Sequence, residues 1–352
     1  MKVAYFGTWE RGYPRNEQVI AAMKRAGIDV VELHEQLWAD EHKFAVGPRA
    51  FPRVVAAEVR LARRRIPRDV EALMIGYPGH FDIWPARRRR LPLVFNAMVS
   101  LYDTLVEDRH RFRRRSAVAR MLRAADIAAL RAVDAVVADT NANAKYLSEL
   151  AGIRTPDVCY VGAEERLFQP LWHRPQTFTA LFIGKLIPLH GLPVILDAAR
   201  LLPDIAFRIV GTGQEERFLE RRPPNVEHIP WIPYDRLPNE YATAGCALGV
   251  FGSSEKAQRV IPNKVFQALA VGTPVVTAAT EGVRELLKDG HDALLVEASA
   301  EGIATAVRRL RDDARLATEI AASGRRTFER EASEDVLGAR WRAIVERVVR
   351  CH

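Results

Sequence analysis

Short apolar runs alternate along this chain with longer stretches whose apolar residues recur at helical spacing. In the first half the runs are "KVAYFG", "DVVEL", "ALMIGY", "PLVFNA", "AVVAD" and "VCYVG". Runs that are apolar at nearly every position predict strands buried on both faces, as in parallel sheets. Their alternation with amphipathic helix-length segments is the signature of βαβ units. The stretch "QPLWHRPQTF" (169–178), with two prolines and no period, predicts a linker. The pattern then restarts with "ALFIG", "AFRIVG", "VEHIPW", "CALGVFG", "PVVTA" and "ALLV" as strands, and "LPVILDAARLL" and "NKVFQALAVG" as helices, the latter ending at Gly272 as a C-cap. The closing "SEDVLGARWRAIVERVVRCH" predicts a long amphipathic helix with Ser333 or Asp335 at its N-cap. The expected fold is α/β, with two doubly wound, Rossmann-like parallel sheets facing across a cleft, over residues 1–168 and 178–332. In such sheets ligands bind beyond the carboxyl ends of the strands, so the loops there are the place to search.

A length of 352 residues fits two domains, and 48% hydrophobic with 27% charged residues is a globular composition. Cys159, Cys246 and Cys351 lack the spacing of a zinc site or a disulfide framework and are expected to be reduced. The opening "MKVAYFG" reads as a buried strand, and no apolar run reaches the roughly 18 residues that span a bilayer, so a cytoplasmic protein is expected. The net charge of +8 is uneven: residues 1–170 hold 28 Lys and Arg against 21 Asp and Glu, and residues 171–352 hold 24 against 23. The excess sits in "RLARRRIPR" (60–68), "ARRRRLP" (86–92) and "RHRFRRRSAVAR" (109–120), which are either a solvated face or a contact for an anionic membrane or acidic acceptor. Nucleic acid is disfavoured, because only Phe112 interleaves with those arginines as a stacking partner.

Several loops carry candidate chemistry. After the first strand, "GTWERGYPRNE" (7–17) offers Gly7 and Gly12 for close backbone approach, then Tyr13, Arg15 and Asn16 at a helix start, as a phosphate or acceptor cradle or as a plain turn. It lacks the G-x-G-x-x-G fingerprint. "GYPGHFD" supplies His80, "PLVFNAM" ends on Asn96, and "SLYDTLVEDR" offers Ser100, Asp103, Asp108 and Arg109. Asp103 and Asp108, five apart on a helix, point in different directions and do not read as an acid/base pair. The polar segment "FGSSEKAQRVIPNKVFQALAVGTPVVTA" (251–278) crowds Glu255, Lys256, Arg259, Asn263, Lys264 and Gln267 between a buried strand and a buried helix.

In the second half, "LFIGKLIPLHGLPVILDAARLLPDIAFRIVGTG" (181–213) resembles the donor-binding half of the retaining glycosyltransferases of family 4, which have the GT-B fold. Gly184-Lys185-Leu186 and His190-Gly191 stand where that family has Gly-Arg-Leu and Lys-Gly, and Gly211 and Gly213 form its "GxG". The resemblance implies that Lys185 and His190 hold the diphosphate of a nucleotide sugar, where fixed cations stabilise the departing charge. Lys185 does so as a point charge, His190 only when protonated. Anchored on Ala270, Gly272 and Pro274, the family's two glutamates fall on Arg259 and Gln267. Gln267 could take ribose hydroxyls through its carbonyl oxygen, and Glu255 the sugar hydroxyls that Arg259 cannot accept. Lys256, Arg259, Asn263 and Lys264 would then face phosphates or an anionic sugar.

Further segments resemble the family in order: Trp231 to Tyr234 along the nucleobase, "GVRELLKDGHDALLVEAS" (282–299), and "VCYVGAEERLFQP" before the linker. The match extends over about residues 155–300, with the last helix, about 333–352, expected to cross back to the first domain. In the family a histidine often follows the strand where Asn96 stands, and Asn96 could position a sugar hydroxyl but not act as a base.

The resemblance implies a retaining hexosyltransferase that uses a UDP- or GDP-sugar and no cofactor. The leaving diphosphate would deprotonate the acceptor, and interdomain closure would assemble the site. No Asp-x-Asp occurs, so the cations Lys185, His190, Arg259 and Lys264 are expected in place of a metal ion. The expected acceptor is a lipid, a glycan or a small natural product, met by Tyr13, Arg15, Asn16, His80, Ser100, Asp103 and Arg109, with peripheral contact at an anionic inner membrane face. Gly7 joins Gly184, Gly191 and Gly213 on the donor side. Two alternatives stand beside this reading: a sugar-nucleotide epimerase on the same fold, which would require acidic catalysts, and a non-catalytic nucleotide-sugar-binding or membrane-associated partner protein.

Overall fold

The computed structural model describes residues 1–37 and 51–352. By internal contacts they divide into two compact units, Met1–Val106 with Phe112–Tyr160 and Glu334–His352, and Glu107–Arg111 with Val161–Ser333.

The first unit is built on a parallel sheet of β1 (Lys2–Gly7), β2 (Asp29–His34), β3 (Ala72–Ile75), β4 (Leu93–Asn96), β5 (Ala135–Ala138) and β6 (Asp157–Val158), in the order β2-β1-β3-β4-β5-β6. Its helices include α1 (Pro14–Arg25), α2 (Phe51–Arg63), α3 (Ile83–Arg87), α4 (Ala117–Arg131) and α5 (Asn141–Ala151). Their starts follow local chemistry: Pro14 opens α1, Ser116 caps α4 and Thr140 caps α5 by accepting backbone N–H bonds. Phe6, Leu73, Ile75, Phe95, Val136 and Leu147 bury the sheet against the helices. The C-terminal helix, Glu334–Cys351, packs on α1. Gly338 rests on the Ala22 carbonyl with no room for a Cβ, and Trp341 is fully buried. Of the run "VCYVG" only Val158 joins the sheet, with Asp157 before it, because the chain then turns to deliver the Cys159 and Tyr160 carbonyls to Arg15.

In the second unit β7 (Thr179–Ile183), β8 (Ala206–Val210), β9 (Val226–Ile229), β10 (Cys246–Leu248), β11 (Val275–Ala278) and β12 (Leu294–Val296) form a parallel sheet in the order β12-β11-β10-β7-β8-β9. Around it lie α6 (Leu192–Arg200), α7 (Leu237–Thr243), α8 (Glu255–Arg259), α9 (Asn263–Val271), α10 (Glu281–Arg284), α11 (Ala300–Asp312) and α12 (Ala314–Glu331). Phe182, Phe207, Ile209, Leu248 and Val276 form the sheet side of the core. The strand order reverses between β7 and β10, which puts the expected ligand crevice beyond their carboxyl ends.

The units divide at Tyr160 and Val161, ahead of the predicted linker at 169–178. Phe168 is buried against Tyr234 and Tyr241, and the Trp172 indole donates to the Ala244 carbonyl at 2.8 Å. These contacts fix the segment to the second sheet, which no periodicity could reveal.

Candidate functional site

At the reversal point the loops after β7 and β10 lock together. Gly191, at φ +69, lies so close to Phe251 that an added Cβ would sit 2.5 Å from its carbonyl oxygen. The amides of Phe251 and Gly252 donate to the carbonyls of His190 and Leu189 at 3.2 and 3.1 Å. The loop after β8 closes the third side, with Glu215 N donating to the Leu186 carbonyl at 2.9 Å. Glu107–Arg111 reaches the same loops: Ser254 Oγ donates to Asp108 Oδ1 at 2.9 Å, and Gln214 Nε2 to the Arg109 carbonyl at 3.2 Å. Ser254 also caps α8 by accepting from Ala257 N.

Into this cluster projects Lys264, from the first turn of α9. Its Nζ lies 3.6 Å from the centroid of the Phe182 ring, is buried, and has no hydrogen-bond partner. Gly184 makes room for it: a Cβ there would sit 2.7 Å from that nitrogen. Burial drives the Lys264 ammonium well below its ordinary pKa. His190 is buried on the same side, its Nδ1 2.5 Å from the Lys185 carbonyl. Burial above all, with the charges of Arg109 and Lys256 adding to it, holds the imidazole well below its ordinary pKa. The expectation of a cationic His190 is therefore corrected: it is neutral near pH 7, with Nδ1–H donated to the carbonyl. Lys185 is exposed, Lys256 is buried in α8, Glu255 opens that helix on the exposed side and Arg259 ends it. Asn263 is half-buried at the start of α9, and Gly213 packs on the Leu186 backbone.

Gln267 is not free for ribose. Its Oε1 accepts from the Tyr241 hydroxyl at 3.2 Å and its Nε2 donates to the Tyr234 hydroxyl at 3.4 Å, all within the buried face of α9. Beside Tyr234 lies Glu164, 2% exposed, with one carboxylate oxygen paired to Arg166 and the other, Oε1, without a partner. Glu164 carries no signal in the sequence, since the adjacent "EE" gives no hint of which glutamate turns inward. Trp231, expected along a nucleobase, is 65% exposed.

The first unit holds the other predicted residues, and most are committed to internal structure. Arg15 is fully buried. Its guanidinium donates to Asn96 Oδ1 from Nε and Nη2 (3.1 and 2.9 Å), to the Tyr160 carbonyl (2.6 Å) and to the Cys159 carbonyl (3.1 Å), and it lies 5.4 Å from the Trp341 ring. Asn16 is equally buried, accepting from Tyr5 Oη and Tyr77 N and donating to the Tyr77 carbonyl. Acceptor contact for Arg15 and Asn16, and sugar positioning by Asn96, thus give way to a bracing role, since these side chains have no solvent-facing surface. His80 has both ring nitrogens engaged, by the Pro78 carbonyl and by Asp126 Oδ1 at 3.1 Å. Asp126 also accepts from Ser100 Oγ at 2.6 Å and from the Leu101 and Tyr102 amides, so His80 and Ser100 brace the segment after β4. Asp103 is buried there, its amide on Ser100 Oγ. Tyr13 stacks on Tyr77 with centroids 4.8 Å apart. The open side of Gly7 is filled by the Asp82 carboxyl, which leaves no cradle at that point. Asp82 accepts from Thr8 N and Oγ1 at 2.9 Å and faces the buried carboxyl of Glu58. Burial and then the Asp82 charge push Glu58 up to about 9.

Residues 193–342 match the family model described as "Glycosyl transferase-like". Curated relatives include the lipopolysaccharide core biosynthesis glycosyltransferase LpsE of Rhizobium meliloti, 27% identical over 158 residues covering 44% of this chain and 46% of the relative. Another is the phosphatidyl-myo-inositol mannosyltransferase of Mycobacterium leprae, 28% identical over 189 residues covering 49% and 46%. The chain thus spans about half the length of the curated relatives it matches. Among solved structures, sucrose-phosphate synthase from Thermosynechococcus elongatus aligns with a TM-score of 0.78 at 15% identity over 100% of both chains. Anabaena Alr3699/HepE in complex with UDP-glucose aligns with a TM-score of 0.72 at 14% identity over 99% of this chain and 100% of that one. The two parallel-sheet α/β units have the GT-B fold.

Proposed function

We propose that this chain, whose residues 193–342 match the glycosyl transferase-like family model and which has a GT-B fold, is a retaining glycosyltransferase that moves a hexose from a nucleoside diphosphate sugar to an acceptor hydroxyl. The observation that carries the reading is Lys264: a buried, unpartnered amine aimed at Gly184 where the strand order reverses. A buried polar group left without a partner is destabilising by about 1–3 kcal/mol, and a diphosphate at this point would satisfy it. Lys185 and Lys256 add charge from the flanking loop and helix, and neutral His190 offers an Nε2 atom rather than a cation. As the glycosyl–oxygen bond breaks, charge develops on the diphosphate, and cations fixed before the reaction stabilise it without reorganising. The diphosphate oxygen then takes the acceptor proton on the same face, and lysines do the work a metal ion would otherwise do. UDP and UDP-glucose in the solved complexes of Alr3699/HepE support the donor class.

The acceptor is a lipid, a glycan or a small natural product. A membrane-proximal acceptor is supported by the face where α2 packs beside α3: Val55, Val59, Phe81 and Trp84 are exposed there among Arg53, Arg60, Arg63 and the run Arg87–Arg90. Exposed apolar side chains on arginine-rich segments fit an anionic lipid surface. No helix among the described residues is long and apolar enough to cross a membrane.

The test is a donor screen with UDP- and GDP-hexoses, scored by nucleotide release and by a new glycoside, with and without EDTA. Lys264→Ala should weaken donor binding by more than about tenfold, the loss of a charge-assisted contact; an unchanged dissociation constant contradicts the assignment. Donor binding without turnover on any acceptor would favour a binding protein, the reading motivated by Arg259 and Gln267 in place of two glutamates.

A further inference from the structure

The state of Lys264 in the free protein leads beyond a fixed cation. An ammonium has three donors and no lone pair. Here all three are buried without an acceptor, against a single aromatic face. That face offsets only part of the lost hydration. The charged groups on the surrounding elements do not help. Lys185 on the β7 loop, Lys256 and Arg259 on α8, and Arg109 on Glu107–Arg111 are all cations. Of the carboxylates, Asp108 takes the Ser254 hydroxyl, and Glu215 is itself held toward its neutral form, first by burial. Behind α9, α7 presents Glu240, already paired with Arg208, and α12 presents Arg325, which donates to the Ala270 carbonyl. His190, 3.4 Å from the position of a Gly184 Cβ, is neutral and donates Nδ1–H away from the amine.

We propose that Lys264 is an uncharged amine in the free protein and takes up a proton from solvent as the donor diphosphate arrives, so that ligand and counter-charge enter together. The inference rests on the reading of these loops as a diphosphate site. It adds that donor affinity falls as pH rises: the amine must be protonated to hold the phosphates, and near neutral pH binding draws that proton in. When the nucleoside diphosphate leaves, the proton returns to solvent. Burial of the nitrogen and its shift below the ordinary range point the same way.

Titration calorimetry tests this with UDP-glucose and, in parallel, GDP-mannose, at about pH 8, in HEPES, Tris and tricine. These differ in ionisation enthalpy, and a diphosphate diester does not itself titrate there, so the slope of apparent enthalpy counts protons taken up by the protein. The expected uptake is roughly half to one proton per donor bound. Lys264→Arg, which stays charged at any pH used, should bind with no uptake, and Lys264→Met should bind more weakly and also without uptake. His190→Gln should retain it. Donor binding by the native protein with no proton exchange overturns the proposal. So does an uptake that survives both Lys264 variants, or one that disappears in His190→Gln. Failure of either donor to bind at all is a separate outcome: it removes the diphosphate-site reading and this inference with it.

Discussion

Arg15 offers the sharpest test of how the first unit is held together. It is a fully buried guanidinium with four hydrogen bonds to three acceptors, and no carboxylate lies within ion-pair distance among the described residues. Replacing it with Met keeps much of the aliphatic stem and its packing on Trp341. It strips donors from Asn96 Oδ1 and from the Cys159 and Tyr160 carbonyls, where the chain leaves β6. A dry acceptor is destabilising by about 1–3 kcal/mol, so three give roughly 3–9 kcal/mol before any relief. The relief is real, because the guanidinium no longer has to be desolvated. The net loss expected is about 2–5 kcal/mol, in the range for breaking a buried network. At about 2–4 °C per kcal/mol for a unit of this size, the lowest thermal transition should fall by roughly 5–15 °C. Scanning calorimetry of Arg15→Met and Arg15→Lys measures it. Lysine keeps the charge but cannot span all three acceptors, and should also destabilise. A transition within about 2 °C of the native protein, together with a raised KM for the acceptor, would refute the bracing role and return Arg15 to the acceptor site.

Glu58→Gln should remove a pH dependence. The unfolded carboxyl titrates near 4.5 and the folded one near 9, so its contribution to stability is intact below the unfolded value and is lost progressively as pH rises toward the folded one. The variant should therefore melt higher than the native protein near pH 8 and level with it near pH 4.5, read by thermal melts across that range; parallel curves would contradict the pairing with Asp82. Gly191→Ala forces a Cβ to 2.5 Å from the Phe251 carbonyl oxygen at a left-handed φ and should destabilise by about 2–4 kcal/mol in urea, with donor binding lost alongside. Neutralising Arg87 to Arg90 should reduce cosedimentation with anionic liposomes, and unchanged cosedimentation would remove that face as the membrane contact.

Which parts of the site were legible depended on whether a residue's role was local. Gly184, Gly191 and Gly213 are backbone requirements of strand-to-helix loops, and their spacing announced them. Ser254 sits three residues before the Ala257 amide it caps, a distance sequence can read. Which cation turns inward is another matter: Lys185 and Lys264 carry the same side chain, yet one is exposed and the other lies over Phe182, an outcome set by contacts between distant segments. Gln267 and Asn96 look like ligand residues by type, but their partners, Tyr241 and Arg15, lie 26 and 81 positions away. Asp108 and Arg109 belong in sequence to the first half and in space to the loops of the second unit.

The sequence by itself determined the two parallel sheets, the helices between them and the loops where chemistry gathers. Periodicity, glycine and proline act over a few residues, and burial on both faces dictates what a strand can contain. Only the tertiary structure decided protonation and partnership: Lys264 without an acceptor, His190 neutral, Gln267 and Arg15 committed to neighbours. Those properties depend on the local dielectric and on which groups share a few ångströms, and these exist only once the chain has folded.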